Sequence, residues 1–269
     1  MPVTSIWALS ADGTVRCQLR LSEVAETVPY CSSFQQEKVS IPPIEGEMSL
    51  RFHGEKWTDT LEKDVKTNWI NYVIATEKDA IEFQSAVFGR RLIDSFRTIK
   101  TCVTHEGLKG TFAFEEQFAN IEMLRLWEDD GLATPGAQGG VLALMHVSSN
   151  FGEGWARWWM NCSRQQVKVR ADGIKCAKLR GIDLVVRKPG TSANAAERVR
   201  STSSAGSTGG PVLRVDTKDA IPTVKISGKK LPVKRVTAIK IEFRSEEERD
   251  KFVSISHRVQ QKLIALPEL

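Results

Sequence analysis

Ile239-Lys240-Ile241-Glu242-Phe243-Arg244-Ser245-Glu246-Glu247-Glu248 is the stretch on which the reading of this chain turns. Its first part alternates apolar and charged residues, the period of a strand with one buried face. Ser245 with Glu248 three places on then matches a capping box, in which a hydroxyl takes an orphan amide at a helix start. Beyond it Phe252, Ile255, Val259, Leu263 and Leu266 recur at spacings of three and four, so the expected helix carries one apolar stripe.

The same order of signals occurs 169 residues earlier. Tyr72 falls on Ile241, Ile74 on Phe243, Thr76 on Ser245, Glu77 on Glu246 and Phe83 on Phe252. A strand at 69–75, a cap at Thr76 and a helix carrying Phe83, Val87, Leu92 and Phe96 are expected. The match fades after the first helical turns, so the repeat is one of structure rather than a close duplication.

Strand signals fill the chain around these two units. Ile6-Trp7-Ala8-Leu9, then Ala11-Asp12-Gly13-Thr14, then Val15, Cys17, Leu19 and Leu21 read as a hairpin, Asp-Gly supplying the positive φ angles of its turn. Weaker strands are expected at 28–33 and 48–52, separated by Pro42 and Pro43. In the second half, strands are expected at 141–147, 155–161, 167–170, 177–186, 212–215, 222–226 and 236–244, with glycine-bearing turns between them. Residues 130–140, with Pro135 and four glycines, read as a long hairpin loop joining Leu124-Arg125-Leu126-Trp127 to Val141-Leu142-Ala143-Leu144. The stretch 115–130 fits both a helix, through Phe114, Phe118, Ile121 and Leu124, and a strand. Residues 191–210, rich in Ser, Thr, Ala and Gly, bury too little to offset ordering and read as a mobile insertion.

Composition narrows the class. Of 269 residues 41% are hydrophobic and 26% charged, which excludes disorder throughout. No apolar run approaches the roughly 18–20 residues of a membrane-spanning helix, and residues 1–10 lack a basic region before their apolar patch. The five cysteines are widely spaced without a C-x-x-C pair, which disfavours a disulfide framework or a thiolate zinc site. A soluble, cytoplasmic protein is expected. The net charge of +5 hides an asymmetry: residues 1–140 hold 14 basic and 21 acidic side chains (−7), and residues 141–269 hold 24 and 12 (+12). Such a field attracts an anionic partner, or else the two halves neutralise each other within one molecule.

The antiparallel strand candidates from 141 to 244, closed by an amphipathic helix, resemble a pleckstrin-homology-like (PH-like) domain, and a shorter version occupies residues 4–97. The chain is similar to fungal proteins built from such modules. The resemblance implies a mainly β fold with α (α+β): two bent antiparallel sheets or partial barrels, each closed by a C-terminal helix. The units would be residues 1–98, a connector and hairpin at 99–140, and residues 141–269 with the insertion at 191–210. It also implies binding of an acidic lipid headgroup or a protein partner. The loop Ser148-Ser149-Asn150-Phe151-Gly152-Glu153-Gly154, where basic residues would flank a phosphoinositide, has none, and Arg157 alone follows it.

The strongest basic cluster is Lys225, Lys229, Lys230, Lys234 and Arg235, before the last strand. With Arg157 it forms the candidate ligand-binding set for an anionic phospholipid or partner, set against an ordinary solvated loop. Lys168, Arg170, Lys175, Lys178 and Arg180 extend it if sheet curvature brings the strands together. Trp155 and Trp159 alternate onto one strand face and Trp158 onto the other, so they fill cores or anchor a partner peptide. No signature of a nucleic-acid reader appears. His53, His105, His146 and His257 are scattered, and neither a nucleophile elbow nor a phosphate loop is present, so no catalytic residue, metal or cofactor is expected. Arg198-Val199-Arg200-Ser201 matches a basophilic kinase site. The reading is a non-enzymatic tandem PH-like adaptor, cytoplasmic or peripheral to a membrane, that engages a protein or an anionic lipid. Its rival is a structural protein that self-associates, acidic half against basic half.

Overall fold

A computed structural model describes residues 3–12, 15–21, 26–42, 48–53, 61–67, 69–105, 114–148, 151, 154–182, 185–187, 223–226, 229–232 and 236–269. The protein is mainly β. In chain order the elements are β1 (Ser5–Leu9), β2 (Arg16–Arg20), β3 (Tyr30–Cys31), β4 (Lys38–Ile41), β5 (Met48–His53), β6 (Leu61–Thr67), β7 (Ile70–Val73) and α1 (Glu77–Phe88). Then follow β8 (Arg90–His105), β9 (Phe114–Ala119), β10 (Met123–Asp129), β11 (Gly140–His146), β12 (Trp155–Trp159), β13 (Lys168–Ala171), β14 (Cys176–Arg180) and β15 (Val185–Arg187). The last are β16 (Thr223–Ile226), β17 (Lys229–Pro232), β18 (Val236–Phe243) and α2 (Glu246–Gln260). The expected strand at 212–215 and the insertion at 191–210 lie outside the described residues. Neither helix is long and apolar enough to cross a membrane.

Both helices begin where the capping signals put them. Thr76 Oγ1 accepts from Asp79 N at 3.1 Å, and Ser245 Oγ accepts from Glu248 N at 3.2 Å. The first helix stops earlier than its apolar spacing suggested, because Gly89 takes a left-handed conformation (φ 69°) as C-cap. Leu92 and Phe96 therefore sit on β8, not on the helix. The second helix ends at Gln260. Phe252 and Ile255 are buried, but Leu263 is exposed beyond the helix end, where the chain turns to run beside residues 161–163 and sends Leu266 into a different core.

The first seven strands make two small sheets, β1-β2-β5-β6 and β3-β4-β7. Ile6, Leu19, Val39 and Ile41 meet Ala80 and Val87 of α1 in one core. The large sheet runs β13-β14-β18-β8-β10-β11-β12-β15, with β9 on β8. It is open: among the described residues its end strands, β13 and β15, do not pair with each other. Residues 99–140, read as a connector, supply the second part of β8 and all of β9 and β10 at the centre of this sheet, which makes 115–119 and 123–129 strand.

The two ends of the large sheet are covered differently, and that difference positions the site. Strands β10, β11 and β12 are buried on both faces. Leu124, Ala143, Met145 and Trp158 face the core built on Phe252 and Ile255. Trp127, Leu142, Leu144, Trp155 and Trp159 face a second core with Val28, Phe88 and Leu266. The unbroken apolar run of β11 is what two-sided burial demands. Strands β13, β14 and β18 alternate instead. Val169, Ala177, Leu179, Ile239 and Ile241 point inward towards α2, and the residues between them face away from that core.

Candidate functional site

The face turned away from α2 carries cations in register. Lys168 stands opposite Arg180 and Arg170 opposite Lys178. On the next strand Lys240 stands opposite Lys178, and β8 follows with Cys102 opposite Lys240 and Lys100 opposite Glu242. Neighbouring strands lie about 4.7–4.9 Å apart, so Arg170, Lys178 and Lys240 form a row of like charges directly across three strands. Opposed like charges destabilise a sheet. Two carboxylates relieve this face: Asp172 lies 3.8 Å from Arg170 Nη2 and 3.7 Å from Lys240 Nζ, and Glu242 stands opposite Lys100 in the neighbouring row. At the tip of the β13–β14 hairpin Ile174 is 71% exposed, beside the exposed Lys175.

Cys102 continues the row of Lys240 and Cys176 lies in the next one, opposite Glu242, and neither thiol is activated. Burial pushes Cys102 up, against the opposing pull of Lys100 and Lys240, and burial likewise raises Cys176. The free edge of β13 is closed from behind by α2: His257 Nε2 lies 3.1 Å from Val169 O, and Gln260 Nε2 donates to Val167 O at 2.6 Å. The surface on offer is thus the sheet face, not its edge.

No family model matches this chain, and no curated protein or solved structure matches it significantly. The chemistry of the surface is read from its own geometry.

The residues chosen from sequence fall in three places. Lys225 is on β16 and Lys229 and Lys230 are on β17, a separate two-stranded hairpin whose register sets Lys225 opposite Lys230. Lys234 and Arg235 lie outside the described residues. Arg157 is on β12, between Leu144 and Val185, and its side chain is 17% exposed, with the guanidinium paired with the Glu26 carboxylate. The same carboxylate takes Arg90, whose Nε also donates to Asp129 at 3.0 Å and whose Nη2 donates to Thr134 Oγ1 at 2.6 Å. This hub lines a cleft of about 1320 Å³ between the end of α1 and the 130–139 loop. Arg157 is neutralised there, so it joins the first seven strands to the large sheet rather than extending a basic surface.

Lys100 and Lys240 are the cations that sequence reasoning missed. The alternation of 236–243 was visible, but their place beside Lys178 depends on pairing among strands about 60–140 residues apart in sequence. Lys168, Arg170, Lys178 and Arg180 come together by plain antiparallel pairing of β13 with β14, on a sheet to which β16 and β17, with Lys225, Lys229 and Lys230, do not belong.

A second polar group is fully interior. Arg125 Nη2 donates to Cys31 O at 3.2 Å, Ser148 Oγ donates to Glu122 Oε1 at 3.0 Å, and the His146 ring lies 4.7 Å from that of Tyr30. Burial, with Arg125 adding to it, pushes His146 down to about 3, and burial raises Glu122. These groups join β3 to β10 and β11.

Proposed function

We propose that this chain is a non-enzymatic binding module, two PH-like units in tandem, whose second unit docks on an anionic membrane surface through the basic face of β13, β14 and β18. The observation that carries the reading is the opposed row Arg170, Lys178 and Lys240, flanked by Lys168, Arg180 and Lys100. Cations held in mutual repulsion gain more from an external polyanion than scattered cations do, because binding also removes the repulsion. Near an anionic leaflet each cation is worth about 1 kcal/mol, screened by salt. Ile174 at the hairpin tip favours a membrane over an acidic protein, since an exposed apolar side chain among cations has a place in the headgroup boundary.

The tandem PH-like reading is supported by the two matching strand, cap and helix units and by the seating of Phe252 and Ile255 in the core of the large sheet. On this reading the first unit ends with α1, and the chain passes through Gly89 straight into β8, the first strand of the second. A cytoplasmic protein recruited to the inner leaflet follows from the same proposal.

Flotation with phosphatidylserine vesicles tests it. The full chain is expected to float at low salt, to be released as salt rises, and to stay unbound with neutral vesicles. A Lys178→Glu, Lys240→Glu variant of unchanged circular dichroism is expected to lose flotation. Failure of the wild-type chain to float at low salt overturns the membrane reading.

A further inference from the structure

The edge of the first sheet carries an independent inference. β1 is the end strand of β1-β2-β5-β6 and, among the described residues, pairs only with β2. The hydrogen bonds Leu21 N to Thr4 O (2.9 Å) and Ser10 N to Val15 O (3.0 Å) bracket its ladder. Antiparallel strands alternate between hydrogen-bonded and non-bonded pairs, so Thr4, Ile6, Ala8 and Ser10 direct their amides and carbonyls at β2. Ser5, Trp7 and Leu9 direct theirs outward, and among the described residues nothing receives them.

Natural edge strands are blunted by charge, proline or a bulge. Val3-Thr4-Ser5-Ile6-Trp7-Ala8-Leu9-Ser10 has no charged residue and no proline, and the β1–β2 register runs without a shift. Ile6 points into the core, whereas Trp7 is 43% and Leu9 54% exposed, with the Trp7 ring 5.1 Å from His53. This is an unguarded edge with an apolar flank.

We propose that β1 pairs antiparallel with β1 of a second copy of this chain about a two-fold axis at Trp7. The outward groups sit on odd-numbered residues, so only odd positions bond to odd positions across the axis. Trp7 then faces Trp7 of the copy and Ser5 faces Leu9, which closes about six backbone hydrogen bonds and joins two four-stranded sheets into one. Charge favours this occupant. No charge lies on β1, and the nearest cations, Arg16 opposite Leu9 and Arg20 opposite Ser5 on β2, meet those of the copy three strands away, about 14 Å and beyond the screening length.

Light scattering on the full chain across a concentration series tests the pairing. The mass is expected to double from 30.0 kDa and to hold as salt rises, whereas docking of acidic half on basic half weakens with salt. Trp7→Lys and, independently, Leu9→Lys are expected to return the chain to a monomer, and exchange of the Ser5, Trp7 and Leu9 amides is expected to slow only in the dimer. A wild-type chain that stays at 30.0 kDa throughout overturns the proposal, and so does a dimer that survives both substitutions in folded protein.

Discussion

Arg90 and Asp129 are directly opposed across β8 and β10, with Arg90 Nε 3.0 Å from the Asp129 carboxylate and side-chain exposures of 1% and 0%. Their pairing fixes the end of the central hairpin against α1. It also sets Arg90 where its remaining nitrogens reach Glu26 and Thr134, so one guanidinium links the N-terminal strands, the central hairpin and its loop.

Breaking such a pair leaves a buried charge uncompensated, at a cost of about 3–5 kcal/mol. Arg90→Met is therefore expected to lower the unfolding free energy obtained from urea denaturation by that amount, and Asp129→Asn somewhat less, since Asn still accepts from Arg90. The pair Arg90→Met with Asp129→Leu is expected to cost much less than the sum of the single changes. Additive losses would mean that the two groups do not act on each other.

Thr76→Ala and Ser245→Ala each remove one capping acceptor, and each is expected to cost about 0.5–2 kcal/mol. The larger loss is expected at Ser245, because α2 seats Phe252 and Ile255 in the main core and fraying there loosens that seat. Thermal unfolding of the two variants checks the order, and Ser substituted at Thr76 is expected to be nearly neutral.

These caps were legible in the sequence because every atom involved lies within one helical turn. Gly89 was local as well, yet the apolar residues after it, Leu92 and Phe96, kept a helical spacing that the left-handed cap overrides. The β10 stretch read two ways because Leu124 and Trp127 serve opposite cores, and a strand buried on both faces loses the alternation that identifies it. The basic row was legible only in part: Lys168, Arg170, Lys178 and Arg180 share one hairpin, whereas Lys240 and Lys100 join them through pairings that no local pattern encodes.

Gly89→Ala puts a Cβ on a residue at φ 69°, 3.2 Å from Ala133 Cβ. The left-handed backbone alone costs a non-glycine residue about 1–2 kcal/mol. Adding Ala133→Gly is expected to recover the part due to the close approach and to leave the backbone part. Full recovery in the double variant, read by urea denaturation, would mean that φ contributes nothing.

His146 gives the fold a predictable acid sensitivity. Among the described residues its Nε2 is buried without a hydrogen-bond partner, and burial together with Arg125 depresses the ring from 6.5 to about 3. The unfolded chain therefore binds a proton that the folded chain refuses, and stability falls as pH drops from about 6.5 towards 3, by up to about 1.4 kcal/mol per pH unit. Glu122 works in the opposite sense. Its carboxyl is raised by burial, so its protonation favours the folded state as pH falls through its raised pKa towards 4.5. The difference between wild type and a variant isolates the histidine from that opposing group. His146→Phe keeps a ring beside Tyr30, at 4.7 Å in the wild type, and removes the proton site. Its stability is expected to match or exceed the wild type at pH 7 and to fall less steeply between pH 6 and 4, followed by urea denaturation at each pH. Parallel pH profiles for the two proteins would place the acid sensitivity elsewhere.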